Sequence, residues 1–273
     1  MIESPSNPRI KELVKLREMP RRRRERGIFV VDGGSDLIAL AREGRKVQEI
    51  YFCRARVEQS GQTELFDELK RLGIDCTELA ETAYSKACYG SVRSGILGLV
   101  ETWDIGIEKF SPADDGLVVI LDEVEKPGNL GAILRSVEAF GGSGVILSDP
   151  AVDFFNPNVI RSSRGLMGSL PVAKGTKDET WEWLRNSHRS LIATSSHATQ
   201  TLDEVRMDPP LAMLFGSEKE GLGEYWKNRV EVWVGIEMMG AASSLNLNVS
   251  VSCSMYEFNR RAKEEHRQTL HKD

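Results

Sequence analysis

Residues 116–142 read GLVVILDEVEKPGNLGAILRSVEAFGG. The apolar run GLVVILDEV has the composition of a strand buried on both faces of a parallel sheet. The chain leaves it through Pro127-Gly128-Asn129-Leu130-Gly131. Pro127 fixes φ and removes a backbone donor, Gly128 and Gly131 let other groups come close, and Asn129 is a favourable N-cap. In the helix that follows, Leu130, Ile133, Leu134, Val137 and Phe140 recur at helical spacing, so one face packs on the sheet. Arg135 lies off that stripe. It points to the rim of the strand ends, where open α/β sheets bind ligands.

Outward from this unit, strand-like and helix-like segments alternate in both directions. Toward the C-terminus come GVILSD, NPNVIRSSRGLM, LPVAK, TWEWLRNS, SLIATS, LAMLFGSE, EYWKNR and VEVWVGIE. Apolar strands separated by helices predict a parallel sheet covered on both faces. Toward the N-terminus, NPRIKELVKLR reads as a helix capped by Asn7 with Pro8 at its first position. GIFVVD, DLIALAREG, VQEIYFC, TELFDELKRLG and GILGLVETW then complete a smaller α/β unit. Residues 104–115, DIGIEKFSPADD, lack periodicity and are rich in turn formers, which predicts a linker between residues 1–103 and 116–273.

With 273 residues, 40% hydrophobic and 28% charged, the chain has globular composition and room for two domains. No apolar stretch of about 18 residues is present, and the N-terminus lacks a signal-peptide layout, so the expectation is a soluble, cytoplasmic protein. Cys53, Cys76, Cys88 and Cys253 show no metal-ligand spacing, and neither a metal nor a disulfide is expected. Net charge is −5, yet residues 1–31 carry nine Lys/Arg and four Glu, a local excess of +5. Arg9, Lys11 and the Arg21, Arg22, Arg23, Arg24 cluster of RRRRER are therefore candidates for contact with a nucleic-acid backbone; the alternative is a solvated charge run.

Two further stretches carry chemistry. LFGSEKEGLGEYW, 214–226, is a strand ending in a glycine-rich loop with Glu218 and Glu220 as carboxylates. It is not a Walker A loop, and no strand in the chain is followed by GxGxxG, which disfavours a doubly wound nucleotide-binding enzyme. In IEMMGAASSLNLNVSVSCSMYEF, 236–258, apolar and polar residues alternate from Leu245 to Met255, as in a half-buried strand. The same residues also form two helical stripes, Leu245, Val249, Cys253, Tyr256 and Leu247, Val251, Met255, Phe258, with small Ser and Asn between them.

In order and type, DEVEKPGNLGAILRSVEAFG, LFGSEKEGLG and IEMMGAASSLNLNVSV resemble the three motifs of the SpoU/TrmH family of RNA ribose 2′-O-methyltransferases, a branch of the knotted SPOUT class, over residues 116–261. FVVDGGSDLIALAREGR with SGILGLVE is similar to the substrate-binding domain that many members carry in front. The resemblance implies a trefoil-knotted, parallel-sheet α/β methyltransferase domain preceded by a small α/β RNA-binding domain, with S-adenosylmethionine as cofactor, tRNA or rRNA as partner, and a homodimer. It also makes the third stretch a helix. Asn129, Arg135, Glu218, Ser244 and Asn246 match the family's catalytic positions. The cofactor is expected against Thr194, Ser195, Leu214, Phe215, Gly216, Ile236, Met238 and Leu245. Three positions depart from the family pattern: Glu237 stands for the Pro of Ile-Pro-Met, Lys126 for the Asp of Asp-Pro, and Asn248 for a common Ser. The rival reading is a non-catalytic RNA-binding or ribosome-assembly factor that retains the fold; intact Asn129, Arg135, Glu218 and Asn246 argue against it.

Overall fold

A computed structural model describes residues 1–89 and 94–270. The chain forms two compact units, Met1–Trp103 with Asp153–Ser169, and Asp104–Val152 with Leu170–Asp273.

The first unit opens with α1 (Pro8–Glu18), where the Asn7 side chain accepts from the Arg9 amide as the sequence predicts. RRRRER forms α2 (Pro20–Arg26), which ends on Gly27 in the left-handed conformation. There follow β1 (Ile28–Asp32), α3 (Gly34–Arg42), β2 (Val47–Phe52), α4 (Arg54–Gln59), α5 (Thr63–Arg71), β3 (Cys76–Glu78), α6 (Glu81–Ala87) and β4 (Ile96–Glu101). The sheet order is β1-β4-β2-β3; β4 is antiparallel to β1 and β2, and β2 is parallel to β3. Ile10, Leu13 and Leu16 of α1 meet Ala83, Tyr84 and Ala87 of α6 over one face of this sheet.

The second unit begins at Asp104. Residues 104–115 are not a free linker: Ile107 and Phe110 pack on the core, with the Phe110 ring 5.2 Å from Trp183, because an apolar pair in a turn-rich segment still has surface to bury. Next come β5 (Leu117–Asp122), α7 (Pro127–Ala139) and β6 (Gly144–Ser148). The chain then returns to the first unit through Asp153–Ser169, which carries α8 (Pro157–Ser163). Phe155 lies 5.0 Å from Phe29 and 4.9 Å from Trp103, and Gly165, at φ +76, sits where a Cβ would come within 2.7 Å of the Asp36 carbonyl. This excursion was not legible, because its alternation of turn and helix continues the pattern on either side.

Back in the second unit lie β7 (Val172–Gly175), α9 (Lys177–Asn186), β8 (Ser190–Thr194), β9 (Gln200–Thr201), β10 (Leu211–Phe215), α10 (Glu224–Lys227), β11 (Val232–Gly235) and α11 (Leu247–Leu270). Seven parallel strands run in the order β7-β6-β5-β10-β8-β11-β9, with every residue of β5 and β10 buried. From Leu247 onward the alternation is helical, with Leu245 and Asn246 ahead of the helix: Leu247, Val251 and Met255 are buried, whereas Val249, Cys253 and Tyr256 stay exposed. α11 packs on α7, where the Ser136 and Ser252 hydroxyls meet at 2.8 Å and Asn259 donates to the Phe140 carbonyl at 3.1 Å. Phe140 thus faces Tyr256 of α11, with ring centroids 6.1 Å apart, and not the sheet.

Candidate active site

Parallel strands deliver their C-terminal ends to one edge of the sheet, and the ends of β8, β10 and β11 with the start of α11 enclose a cavity of about 370 Å³. Thr194, Ser195, Phe215, Gly216, Glu218, Ile236, Met238, Ser244 and Leu245 all line it. Leu214 does not; it is buried in β10, and its carbonyl accepts from the Thr194 hydroxyl at 3.1 Å.

The glycine-rich loop is built on a close backbone approach. A Cβ on Gly216 would lie 2.2 Å from the Gly221 carbonyl carbon, so no side chain fits there. Ser217 and Gly221 exchange backbone bonds at 3.2 and 3.1 Å, and Gly221 adopts φ +65. This tight loop holds Glu218 toward α7. One carboxylate oxygen of Glu218 accepts from the Asn129 side-chain amide, and the other is buried without a hydrogen-bond partner among the described residues. Asn129 is not the N-cap: α7 starts at Pro127 behind Lys126, so Asn129 falls in the first turn and its side chain is free to reach Glu218.

Asn246 caps α11, accepting from the Asn248 amide on its side chain at 3.1 Å and from Val249 and Ser250 on its carbonyl at 2.9 and 3.0 Å. Arg135 is exposed and makes no ion pair or hydrogen bond among the described residues. Six residues separate it from Asn129, about 9 Å along the helix and about 240° around it. Within one chain, then, the structure joins Asn129 to Glu218 and leaves Arg135 on another face of α7.

Residues outside the expected set also line the cavity: His197, Trp233, Ser250 and Ser254. Ser250 and Ser254 stand one turn apart on α11, and the small residues between its stripes were the available signal. A carboxylate oxygen left open, a glycine cradle and mixed polar and apolar walls fit a cationic sulfonium nucleoside of the kind the motif resemblance implies.

In the first unit the basic segment is mostly neutralised. Arg23 is 2% exposed; its guanidinium donates to Asp153 at 2.8 Å and to the carbonyls of Leu16 and Arg17 at 2.6 and 3.0 Å. It is a structural ion pair, not a backbone contact, because a three-partner pocket has taken all the donors a phosphate would need. Arg22 makes a two-point bond to Glu12 at 2.8 and 3.0 Å, Arg21 pairs with Glu25 at 2.7 Å, and Arg9 pairs with Glu49. Lys11 and Arg24 stay exposed without ion pairs among the described residues, as do Arg161 and Arg164, which the sequence reading did not single out. Beneath these last two, burial pushes the Asp32 and Asp36 carboxyls up to about 6 against the opposing pull of Arg161 and Arg164.

The sequence pattern of the SpoU rRNA Methylase family matches residues 116–256, and that of an MRM3-like substrate binding domain matches residues 7–98. A 23S rRNA uridine 2′-O-methyltransferase of Streptomyces viridochromogenes is 30% identical over 168 residues, a stretch that covers 59% of this chain and 58% of that protein. A crystal structure of an RNA 2′-O ribose methyltransferase superposes with a TM-score of 0.84 at 30% identity, covering 96% of this chain and 98% of the other. The SpoU methyltransferase AviRb from Streptomyces viridochromogenes in complex with AdoMet gives a TM-score of 0.83 at 26% identity, covering 94% and 98%.

Proposed function

Since the chain belongs to the SpoU rRNA Methylase family, we propose that it transfers a methyl group from S-adenosylmethionine to a ribose 2′-hydroxyl of tRNA or rRNA in the cytoplasm. The observation that carries this reading is the Asn129–Glu218 hydrogen bond at the mouth of a strand-end cavity, with one Glu218 oxygen still open.

The cofactor supplies an electrophilic methyl group on a positively charged sulfur. A carbon–oxygen bond forms as the carbon–sulfur bond breaks, and the hydroxyl proton leaves to solvent or a phosphate. Most of the acceleration is then positioning and electrostatics. Glu218, fixed by Asn129, places negative charge at the cavity; Ser244 shapes its wall, and Asn246 sets the start of α11. Arg135, a planar guanidinium fork, clamps phosphate and stabilises the developing alkoxide.

A homodimer completes this site. The exposed stripe of α11, with Val249 at 42% and Tyr256 at 57% exposure, supports an interface there, and Arg135 faces away from its own Glu218. The insertion of β10 between β5 and β8, with α11 returning to α7, supports the knotted path. RNA capture falls to the first unit. It holds 20 Lys/Arg and 17 Asp/Glu, a net of +3, against −8 for the second, and Lys11, Arg24, Arg161 and Arg164, without ion pairs among the described residues, are the contacts assigned to it.

Two measurements test the reading. Calorimetry in chelator should detect binding of S-adenosylmethionine or S-adenosylhomocysteine. Mapping of 2′-O-methyl sites in RNA from a deletion strain should reveal a site that the intact gene restores. Cofactor binding without any lost methyl group would favour the non-catalytic RNA-binding alternative.

A further inference from the structure

The two segments that meet at the mouth of the cavity are acidic, and one cation in them is left over. Residues 122–129 and 216–223 carry Asp122, Glu123, Glu125, Glu218 and Glu220 against Lys126 and Lys219. The segments touch at two places: the Asn129 side-chain amide donates to Glu218, and the Lys219 ammonium lies 3.2 Å from the Glu125 carboxylate. Glu218 and Lys219 both line the cavity. Lys126 stands in the chain between these two contacts. Its carboxylate neighbours are engaged elsewhere: Glu123 pairs with Lys177 at 2.6 Å, Asp122 accepts from the Ser148 hydroxyl at 2.9 Å, and Glu125 faces Lys219. The Lys126 side chain is exposed and makes no ion pair or hydrogen bond among the described residues.

The backbone of this free cation is fixed. Lys126 immediately precedes α7, and its carbonyl accepts from the Leu130 amide at 3.1 Å. Asn129 follows it by three residues, the spacing that sets two side chains on one side of a helix, whereas Arg135 lies on another face. A ribose brought to this mouth carries a phosphate on either side, and those phosphates approach a set of carboxylates. An ammonium beside Asn129, with no carboxylate of its own, offsets that repulsion where the ribose must sit. We propose that Lys126 binds a phosphate next to the target ribose and so seats the acceptor nucleotide at the cavity mouth. It acts as a point charge and takes no part in the transfer itself.

This inference rests on the methyl-transfer reading, and its test separates the two. The probe is total RNA from a deletion strain, bound to the full-length protein with S-adenosylhomocysteine present over a range of salt. Lys126→Ala should flatten the slope of log affinity against log salt by about 0.7 to 0.9, the share of one phosphate. In methyl transfer to the same RNA, KM should rise about five- to tenfold with kcat within about twofold, because a contact away from the reacting atoms binds ground state and transition state alike. Lys126→Arg should keep the parent's slope and KM, and Lys126→Glu should raise KM further than Lys126→Ala. The Kd for S-adenosylhomocysteine should stay within about twofold in all three, since Lys126 does not line the cavity. A parent-like slope and KM in Lys126→Ala overturns the proposal. So does an equal rise of KM in Lys126→Arg and Lys126→Ala, which traces the effect to side-chain shape and not to charge. Wild-type protein that binds this RNA and transfers no methyl group sinks the methyl-transfer reading instead, and the salt slope still decides whether Lys126 holds a phosphate.

Discussion

At the scale of single residues, equal charges have unequal work. Arg135 is exposed and pairs with nothing described, so Arg135→Ala should leave melting temperature and cofactor affinity nearly unchanged while methyl transfer collapses. Arg135→Lys should also fail, because a point charge cannot reproduce a planar fork; substantial activity in that variant would show that charge alone suffices. Arg23 behaves in the opposite way. Removing it strands Asp153 and two carbonyls, so Arg23→Ala should cost about 3–5 kcal/mol in denaturant unfolding, whereas Arg24→Ser should cost less than about 0.5 kcal/mol. Asp32 and Asp36 add a pH dependence. Burial raises both to about 6 in the folded chain, above the ordinary value near 4, so the folded state binds the extra protons. Stability should fall as pH rises from about 4 through 6 and level off near 7, by about 2–3 kcal/mol per group at most. Asp32→Asn, which can still accept from the Tyr89 amide, should flatten part of that fall and raise the melting temperature at pH 7. A melting curve with the same pH slope as the parent would count against this origin.

At the scale of elements, legibility followed period and composition. α7 was readable because five apolar residues at helical spacing leave one reading, and four of them are buried without exposure. α11 was not, because alternating Leu, Asn, Val and Ser satisfies a strand and a two-striped helix equally; only packing on α7, as where Ser252 meets Ser136, selects the helix. The cavity-lining residues from three strand ends came from motif resemblance, since spacing within a sequence does not reveal which loops meet. Composition at 21–26 reports charge and not the carboxylates folded against Arg21, Arg22 and Arg23. Further along α11, Arg260 and Arg261 hold the Glu257 carboxyl down to about 2, and Arg261 donates to the carbonyls of Leu202 and Val205, the former at 2.9 Å. Leu202 also lines the cavity. Glu257→Gln should therefore weaken cofactor binding several-fold by releasing Arg261 and the 202–205 turn. A carboxyl held low is stabilising above about pH 4, and that contribution should be lost between about pH 4 and 2; the variant should lack this acid transition.

At the scale of the whole molecule, the sequence boundary and the physical boundary differ, and the difference is measurable. Residues 104–115 would offer a clean cut if they were a linker, but Ile107 and Phe110 belong to the second unit's core, so a truncated chain must begin near Asp104. Such a chain still carries 153–169, a segment whose buried surface faces the first unit's own residues: Phe154, Val159, Ile160 and Met167 are buried, and Phe155 packs against Phe29 and edge-to-face with Trp103. Without residues 1–103 these side chains lose their partners. The truncated chain should bind a hydrophobic dye and aggregate at micromolar concentration, although all three motifs are intact. Replacing the five side chains with Ser or Asn should restore solubility and, with it, cofactor binding close to that of the full chain. Affinity for RNA should stay low in both, because Lys11 and Arg24 are gone. In the full chain, Arg161→Ser with Arg164→Ser should flatten the slope of log affinity against log salt by about 1.4 to 1.8, while Arg22→Ser, which removes a cation already bound to Glu12, should leave it unchanged. A slope that responds to Arg22 and not to the pair at 161 and 164 would return RNA capture to the N-terminal charge run.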